Sequence, residues 1–584
     1  MTLSVSASRQ MSSRISVALF YSFIAILFCF SAQPAAAQSR VVQKWLATVK
    51  DPAQAQVTNP GTVWSNLVQD ATANSSGGVT VAGYICTAVN SSEACTNQEF
   101  AIETYNSDGR RLWGSFIGSG GNQAVATNVI SDSAGDIYAA GWEQNASGTQ
   151  SMELVKYSPS GTREWIRYYG YYQNASVTLF EPGTIAVDAQ GDVYVVGSGS
   201  VGDGFNVTFK FSPAGQLLWM SSLTDSDGLF PGSQAMAMIL DPSDDVYIAF
   251  NDFQNGGVLL KYGPNGNVLW DSLNDFVNVP DPNSRDSLGL DSSGNIYMEG
   301  SAPYNPGQTG NLAYAAKYDP DGTLLWETEA APACTNSQGF GYGSTIGVDT
   351  LGDAFLTSQN CSGKATVTKF DPSGNLLWQK SYAGTSNSKP IASYLNGEGD
   401  LYVLAQAQST ETNSTSNPDF LTLKYGSAGN LQWATRFNGI DNTSASVPVA
   451  MAASGGDLFV TGSIGPTTDN PTDWATIDYV QDAADATPTN VAFSSQTIDT
   501  TSAPQSVTLK NTSSSEDLDI RSIQMSGPFS ETNNCSSEIV ANGSCTIQVT
   551  FTPTSSGAQS GSLSVYDQWA GTPDVVKLTG TGAQ

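Results

Sequence analysis

The segment from Lys156 to Trp165 reads KYSPSGTREW, and its pattern recurs along the chain. An aromatic residue is followed four positions later by Gly, and Trp follows four positions after that. An apolar strand ending at the aromatic residue, a Pro/Gly reversal and a new strand before Trp make a β-hairpin. The pattern's other copies are Tyr105-Gly109-Trp113, Phe211-Gly215-Trp219, Tyr262-Gly266-Trp270, Tyr318-Gly322-Trp326, Phe370-Gly374-Trp378 and Tyr425-Gly429-Trp433.

A second motif, an Asp/Gly turn between two apolar strands, lies between these hairpins. Examples are VDAQGDVYVVG from Val187 and LDSSGNIYMEG from Leu290. One period therefore holds four short strands, and successive Trp residues are 51 to 56 positions apart. A tandem repeat of four strands at this spacing is typical of the blades of an all-β propeller.

The number of motif copies predicts how the ring closes. There are eight Asp/Gly turns, counting a looser copy from Asn74, but only seven Gly-x-x-x-Trp hairpins. The segment VVQKWLATV (41–49) carries Trp45 and can supply the missing outer strand beside WATIDYV (474–480), which holds Tyr479. We therefore predict an eight-bladed β-propeller over residues 38–481, with seven blades as the alternative, and a packing role for the repeat tryptophans. These are Trp45, Trp113, Trp165, Trp219, Trp270, Trp326, Trp378 and Trp433.

Residues 1–37 have the pattern of a signal peptide. Arg9 and Arg14 precede an apolar run, Ile15 to Phe30, and Ala35-Ala36-Ala37 supplies a cleavage site. The alternative is an uncleaved anchor helix, but the run is short for a span of about 20 residues. We expect a secreted, extracellular or periplasmic protein, with association to the cell surface left open and no transmembrane span in the mature chain.

Composition excludes several classes of function. The formal net charge is −30, which disfavours nucleic acid and anionic lipid surfaces as partners. The chain has no His, so a Ser-His-Asp triad, a Cys-His pair and His-ligated zinc or haem are excluded. No catalytic or metal-binding residue is assigned.

The cysteines left after cleavage indicate disulfides, because their number is even and the chain is exported. Sequence alone permits about 15 pairings of six cysteines. The simplest choice joins near neighbours: Cys86 with Cys95, Cys334 with Cys361, and Cys535 with Cys545. Buried, reduced thiols are the alternative.

The C-terminal region differs from the repeats. Residues 482–488 have the composition of a linker, and residues 489–584 alternate polar and apolar positions as sandwich strands do. We predict an immunoglobulin-like β-sandwich there.

The two kinds of short turn fall on one face of the predicted propeller, and the connections of variable length fall on the other. Length variation on one face of a rigid scaffold indicates recognition, so this variable face is the candidate ligand face. Tyr168, Tyr169, Tyr171 and Tyr172 lie near it and could stack on sugar or peptide, or pack within an outer strand.

Cofactors are not expected, although calcium stays open. Asp225-x-Asp227-Gly228 and Asp319-x-Asp321-Gly322 resemble the start of a calcium loop, but both lack the bidentate Glu at the twelfth position. The leading expectation is a non-enzymatic binding or scaffold protein for a glycan or protein ligand. The alternatives are a hydrolase or lyase that acts on polysaccharide with paired carboxylates, and a structural envelope or adhesion component.

Three resemblances accompany this interpretation. Repeats such as KFSPAGQLLW and KYDPDGTLLW resemble those of bacterial secreted SBBP-type β-propellers over residues 41–481. The Gly-x-x-x-Trp element is also similar to the docking motif of quinoprotein propellers, but no adjacent cysteine pair marks a quinone site. The tail resembles Hydin-like, choice-of-anchor D immunoglobulin-like domains through NGSCTIQVTFTPTSSGAQSGSLSV and LTGTG, which implies a surface-association module.

Overall fold

The computed structural model describes most of the chain outside the longer connections. The described residues are 5–7, 41–50, 67–89, 95–118, 123–144, 150–169, 180–199, 205–224, 234–252, 256–274, 287–303, 311–330, 343–360, 362–384, 387–408, 418–439, 445–454, 456–465, 473–481, 484–511, 517–567 and 574–584. The regular secondary structure in these ranges is β-strand throughout. The chain is therefore all-β where it is described.

After β1 (Val5–Ala7) and β2 (Val41–Lys50), the strands follow in groups of four. The first groups are β3 (Leu67–Ala73), β4 (Val79–Val89), β5 (Cys95–Tyr105), β6 (Arg111–Ile117); β7 (Gln123–Ser131), β8 (Ile137–Gln144), β9 (Gln150–Tyr157), β10 (Arg163–Tyr169); and β11 (Phe180–Val187), β12 (Val193–Gly199), β13 (Phe205–Phe211), β14 (Leu217–Thr224). Each group pairs antiparallel in chain order, because short turns join strands one to two and three to four.

The same arrangement continues through the next four groups. They are β15 (Gln234–Leu240), β16 (Val246–Asp252), β17 (Gly256–Tyr262), β18 (Val268–Asn274); β19 (Leu288–Leu290), β20 (Ile296–Pro303), β21 (Asn311–Tyr318), β22 (Leu324–Glu329); β23 (Gly343–Val348), β24 (Ala354–Gln359), β25 (Ala365–Phe370), β26 (Leu376–Ser381); and β27 (Ser388–Leu395), β28 (Leu401–Gln408), β29 (Pro418–Tyr425), β30 (Leu431–Phe437). We call the sheets from β3 to β30 the regular sheets.

One further sheet combines both ends of the repeat region. It contains β31 (Ala445–Ser454), β32 (Asp457–Gly465) and β33 (Asp473–Gln481), and its order is β1-β2-β33-β32-β31. Strand β2, with buried Trp45, therefore lies beside β33, which holds Tyr479. Strand β2 occupies the position that the Trp-bearing fourth strand has in the regular sheets. We call this the composite sheet.

The first strands of successive sheets contact one another around a closed ring. The contacts run from β3 through β7, β11, β15, β19, β23 and β27 to β31, and β31 contacts β3. First strands are thus innermost and fourth strands outermost. A closed ring of radial antiparallel sheets is the architecture of a β-propeller.

The core lies between neighbouring sheets. Tyr194 and Val196 of β12, for example, pack with Val246 and Ile248 of β16 in one buried cluster. The second strands are buried on both faces, and their near-continuous apolar runs match that burial. Glycine matters where the sheets meet: a Cβ at Gly322, whose φ is +84°, would lie 2.7 Å from the Trp270 ring of the preceding sheet.

The C-terminal strands form two sheets over a separate core. The strands are β34 (Ala484–Thr487), β35 (Asn490–Ala492), β36 (Gln496–Thr497), β37 (Gln505–Asn511), β38 (Leu518–Met525), β39 (Phe529–Asn533), β40 (Glu538–Ile539), β41 (Ser544–Phe551), β42 (Gly557–Asp567) and β43 (Asp574–Ala583). One sheet has the order β34-β37-β41-β39, and the other has β35-β43-β42-β38-β40 with β36 beside β43. Val507, Ile547, Leu563 and Leu578 from both sheets share one buried cluster, so this region is a β-sandwich.

The chain divides into two compact units. The first contains Met1–Ala7, Leu46–Ser454 and Leu458–Ile477, and the second contains Ser8–Trp45, Gly455–Asp457 and Asp478–Gln584, so the division crosses β2, β32 and β33. The predicted linker at 482–488 is wrong in part, because Ala484–Thr487 is a strand paired with β37. Ala484 and Ala486 point into the sandwich core, and two small side chains are too weak a pattern to reveal a strand in the sequence.

Most of the predicted signal peptide lies outside the described residues. The exception is β1, which pairs with β2 through Ala7 and Ala47. Cleavage after Ala37 would remove β1 and leave four strands in the composite sheet. No helix in the described part of the chain has the length and apolar character of a membrane span.

Candidate functional site

The short turns of each regular sheet lie on one face, where they are closed by their own side chains. In the third regular sheet, Asp188 Oδ1 accepts hydrogen bonds from the backbone N–H groups of Gln190 and Asp192 at 3.1 and 2.8 Å. Lys210 Nζ, at the end of β13, lies 3.2 Å from Asp188 Oδ2 and 3.0 Å from Asp192 Oδ2. The ammonium also lies 4.8 Å from the centre of the Tyr194 ring.

This Lys–Asp–aromatic cluster recurs in the other regular sheets from β7 to β30. The Lys and acid members are Lys156 with Asp136, Lys261 with Asp241 and Asp245, Lys317 with Asp291, Lys369 with Asp349 and Asp353, and Lys424 with Asp400. The clusters join the two turns of one sheet, so both turns lie on the same face. The Lys and Asp side chains of these clusters bind one another, so the short-turn face is poorly suited to a polar ligand.

The repeat tryptophans connect neighbouring sheets. Trp219 Nε1 donates to the Pro264 carbonyl of the next sheet at 2.8 Å, and Gly266 lies against the Trp219 ring. The other indole donors and their carbonyl acceptors are Trp113 and Pro159, Trp165 and Pro213, Trp270 and Pro320, Trp326 and Pro372, and Trp378 and Ser427. Trp45 and Trp433 are buried. The structure thus places these tryptophans in packing positions.

The calcium alternative gains no support from the described residues. Asp319 Oδ1 accepts hydrogen bonds from the N–H groups of Asp321 and Thr323, so Asp319 closes its own turn. The part of the chain that the structure describes contains no group of three or more acidic, Cys or His side chains placed to hold a metal ion. Asp225 and Asp227 lie outside the described residues.

The variable face consists largely of connections outside the described residues, including Tyr171 and Tyr172. The other two predicted tyrosines are described, and they differ. Tyr169 packs against Phe209 and Phe211 of the next sheet, with ring centres 5.4 and 5.0 Å away. Tyr168 points to the opposite side of β10 and is 48% exposed. Of these two rings, only Tyr168 is available to a ligand.

Tyr168 lies beside a buried acid that the sequence did not single out. In the strand register, Glu153 of β9 is opposite Tyr168 on one side and Gly141 on the other. Glu143 is two residues beyond Gly141, so it is a diagonal neighbour of Glu153, with about 7–8 Å expected between such positions. We call Glu143, Glu153 and Tyr168 the acidic patch.

Glu153 is in an unusual electrostatic environment. Its side chain is fully buried, and neither carboxylate oxygen has a hydrogen-bond partner among the described residues. Burial, with a further contribution from the charge of Glu143, raises the pKa of Glu153 to about 8. Glu153 is therefore protonated at neutral pH. Burial also raises the pKa of Glu143, and burial together with Glu153 raises the pKa of Tyr168 to about 12.

The acidic patch lies near the variable face, between the first two regular sheets. Val155 and Tyr157 share the strand face of Glu153, and both pack against Phe100 and Ile102 of the preceding sheet. Glu143 and Tyr168 each stand one residue before the end of their strands, away from the short turns. The acidic patch thus lies in a crevice between two sheets. Repeat patterns in the sequence do not predict such a site, because it depends on which two sheets are neighbours.

A cavity of about 310 Å³ follows the ring axis. Its lining comes from the first strands and mixes apolar side chains, such as Met238, Leu288 and Ile346, with polar ones, such as Asp70, Asn128 and Ser393. Asp70 is the one carboxylate among its described lining residues, and Asp70 Oδ2 accepts a hydrogen bond from the Val129 N–H at 2.8 Å. The paired acids that a catalytic channel needs are absent from this described lining.

Two of the predicted disulfides are present. Cys86–Cys95 joins the neighbouring strands β4 and β5 near the variable face, and Cys535–Cys545 lies in the sandwich. Cys361 and Cys334 lie outside the described residues. The two bonds are consistent with an extracellular protein.

Comparisons with known proteins find a distant resemblance to solved structures alone. No protein-family model matches the chain, and no curated protein does. Similar solved structures include YCF48 bound to D1 peptide (12% identity, 62% of this chain and 95% of that chain, TM-score 0.36), an ulvan lyase of family PL25 (11%, 58% and 89%, 0.38), and the WD40 domain of SCAP from fission yeast (9%, 75% and 98%, 0.37). All three are β-propellers. The resemblances to SBBP-type repeats and to Hydin-like domains stay predictions.

Proposed function

We propose that this chain is an exported binding protein with an eight-bladed propeller that recognises a glycan or protein ligand on its variable face. Export is supported by the leader-like pattern of residues 1–37 and by the two disulfides. Eight blades are supported by the closed ring of first strands and by the position of β2 in the composite sheet.

The contrast between the two faces carries this proposal. On the short-turn face, the Asp side chains cap their own turns and bind lysines of the same sheet, so few polar groups are left for a ligand. The variable face carries the long connections and, at its edge, the half-exposed Tyr168 ring beside the acidic patch. Because the chain is strongly acidic, the expected ligand is neutral or cationic.

The test is a screen of the mature chain against neutral, cationic and acidic glycans and peptides, with and without calcium. Replacing an aromatic platform with Ala weakens a stacked ligand by about 10-fold, so we expect this loss from Tyr168→Ala. Leu351→Ala is the control, since Leu351 is 76% exposed on a short turn. Equal affinity of both variants and the parent chain would exclude Tyr168 from the ligand site.

The acidic patch supports a second candidate, a carboxylate-dependent enzyme acting on polysaccharide. Glycosidases pair a protonated carboxyl with a carboxylate roughly 5–9.5 Å away, and Glu153 and Glu143 are diagonal cross-strand neighbours. The protonated Glu153 would donate to the leaving oxygen. Binding remains the leading function because Glu153 has no exposed surface, so a substrate would reach it only after neighbouring side chains move.

Release of reducing ends from neutral polysaccharides tests this second candidate. Loss of a general acid typically lowers the rate by roughly 100-fold or more, so Glu153→Gln should abolish turnover while ligand affinity is kept. Asp70→Asn, in the axial cavity, is the control. Activity that survives Glu153→Gln would contradict a role for the acidic patch in catalysis.

We also propose that the C-terminal sandwich is immunoglobulin-like and serves association with the cell surface. Its two facing sheets and the Cys535–Cys545 bond support the first part, and the resemblance to choice-of-anchor D domains supports the second. Cell fractionation checks it: the full chain should sediment with the envelope, whereas a chain ending at Gln481 should be in the medium. Equal release of both chains would contradict it.

A further inference from the structure

Four consecutive regular sheets expose apolar pairs at the start of their outermost strands. In each pair, the two residues directly precede the repeat Trp, and they are 41 to 59% exposed. The pairs are Leu217 and Leu218, Val268 and Leu269, Leu324 and Leu325, and Leu376 and Leu377. We call these eight side chains the leucine arc.

The same two positions are different in the rest of the ring. They hold Arg163 and Glu164 in β10, and Gln43 and Lys44 in β2. Strand β6 has a single exposed leucine, Leu112, beside Arg111. The leucine arc is therefore confined to four successive sheets and is not a consequence of the repeat itself. Exposed apolar side chains grouped in this way mark interaction surfaces.

The arc is large enough for a stable contact. Seven leucines and one valine, each about half exposed, present roughly 700 Å² of surface, close to the 800 Å² that each partner contributes to a standard interface. The arc also lies on open sheet edges, because β14, β18, β22 and β26 are the last strands of their sheets in the described structure. Open edges offer unpaired backbone groups to an added segment.

The charged residues beside the leucine arc indicate which kind of partner it binds. A shallow, open cleft beside β22 is lined by Tyr314, Glu327, Thr328 and Glu329. The Tyr314 hydroxyl donates to Glu329 Oε1 at 3.0 Å, which keeps that carboxylate at the cleft wall. Asp271 adds a further acid on β18, and Lys380 is the cation on β26. A cleft with two carboxylates and an aromatic ring suits a Lys or Arg side chain.

We propose that the leucine arc and the adjoining acidic cleft dock a cationic, amphipathic segment of a partner protein. The apolar side of the segment covers the leucines, and one of its cations enters the cleft between Glu327 and Glu329. A second copy of this chain is a poor occupant, because each copy carries a net charge of −30 and the arc's surroundings are acidic. An anionic bilayer is disfavoured for the same reason. This surface is separate from the variable face and does not depend on the function proposed for it.

The probes are synthetic amphipathic peptides of roughly 18 residues, about 27 Å long as a helix, composed of Lys and Leu. One is patterned for a helix and one for a strand, and a Glu/Leu version of each is the charge control. Fluorescence anisotropy with the mature full-length chain should show saturable binding of at least one Lys/Leu peptide. The Glu/Leu peptides should bind at least about 10-fold more weakly.

Variants locate the contact. Leu325→Ser and Leu377→Ser should each lower the affinity for the Lys/Leu peptide, and the double variant should lower it by about 10-fold or more. Leu112→Ser is the matched control, because Leu112 also directly precedes a repeat Trp but stands outside the arc; it should change affinity less than about 2-fold. Glu327→Gln with Glu329→Gln should weaken binding and reduce its salt dependence.

Three results would overturn the proposal. One is equal binding of the Lys/Leu and Glu/Leu peptides, or equal loss with Leu112→Ser. Another is concentration-dependent dimerisation of the parent chain in sedimentation experiments that Leu325→Ser with Leu377→Ser abolishes, which would assign the arc to a second copy. The third is arc-dependent binding to vesicles of anionic phospholipid, which would assign it to a lipid surface. Unchanged near-ultraviolet circular dichroism of the variants shows that the fold is kept.

Discussion

The composite sheet and the regular sheets use the same type of charge cluster with the charges exchanged. In the second regular sheet, Lys156 on the third strand pairs with Glu164 on the outermost strand at 3.1 Å. In the composite sheet, Asp478 is on the third strand, and Lys44 on the outermost strand supplies the cation. Lys44 Nζ lies 2.8 Å from Asp457 Oδ2 and 3.7 Å from Asp478 Oδ2.

This charge exchange explains why β2 is the strand that closes the ring. Asp478 and Asp457 are buried, so an outer strand without a cation at the position of Lys44 would leave two acids unpaired in a medium of low polarity. The outer strands β14 to β26 carry Leu at that position. Strand β2 is thus specified by charge as well as by shape, because only β2 matches the inverted third strand.

The largest expected effect comes from reversing the charge of Lys44. Lys44→Glu places a third acid beside Asp457 and Asp478, and removing one partner of a buried ion pair costs about 3–5 kcal/mol of folding free energy. Denaturant unfolding measures this loss. The double variant Lys44→Glu with Asp478→Lys restores the Lys–Glu arrangement of the second regular sheet and should recover more than half of it. A double variant no more stable than Lys44→Glu would contradict the charge-exchange account.

The next largest loss of stability is expected where the turn glycine of one regular sheet packs against the repeat Trp of the preceding sheet. The composite sheet lacks a glycine at the position that makes this contact. Gly322→Ala forces a side chain into a backbone with φ of +84° and against the Trp270 ring at 2.7 Å. Strain of this kind costs about 2–4 kcal/mol. The control is Gly557→Ala in the sandwich, where φ is +100° but a Cβ meets no atom within 4 Å. Equal losses would show that backbone conformation, and not the Trp contact, sets the cost.

Glu153 can be compared with Asp478. Both acids are buried, but among the described residues Glu153 lacks an ion pair like the one that Asp478 makes with Lys44. Its pKa is raised from 4.5 to about 8, so the folded state binds its proton more tightly than the unfolded state does. Its stability contribution is complete below pH 4.5 and is lost as pH rises to about 8. Glu153→Gln should therefore be more stable than the parent by about 5 kcal/mol at pH 9 and similar to it at pH 4. Thermal unfolding at both pH values measures this, and an unchanged difference between them would contradict the raised pKa.

The smallest effect compares two tryptophans. Trp219→Phe removes a hydrogen bond to the Pro264 carbonyl, which is worth about 1 kcal/mol. Trp433, which precedes the composite sheet, has a buried Nε1 with no acceptor among the described residues, so Trp433→Phe should cost less. Unfolding free energies of the two variants provide the comparison. A larger loss for Trp433→Phe would show that its indole N–H has an acceptor.

Much of the fold is predictable from the sequence because the same strand and turn motifs recur from repeat to repeat. The hairpin and turn motifs predict strand order, the place of β2 follows from one missing outer strand, and two near-neighbour cysteine pairs are present as predicted. The charge exchange was also visible, since Asp478 stands before Tyr479 where most repeats have Lys before the aromatic residue. Local sequence does not reveal the role of Asp478, because that role depends on pairing with a strand more than 400 positions away.

The candidate site was less predictable. Glu153 looks like an ordinary polar residue in SMELVKY, and only packing of the second sheet on the first buries it. Tyr168 and Tyr169 are adjacent in sequence, yet strand alternation exposes the first and packs the second against Phe209. Such properties arise from neighbouring sheets, which a local pattern does not specify.

Zero-length carbodiimide cross-linking of the unmodified mature protein, followed by peptide mass spectrometry, tests ring closure most directly. The reagent joins an amine to a carboxylate only where the two are in contact. We predict an amide bond between Lys44 and Asp457 or Asp478, which would connect the first described strand of the mature chain to the last strands of the propeller. Cross-links from Lys44 to acids elsewhere, with none to these two residues, would contradict it.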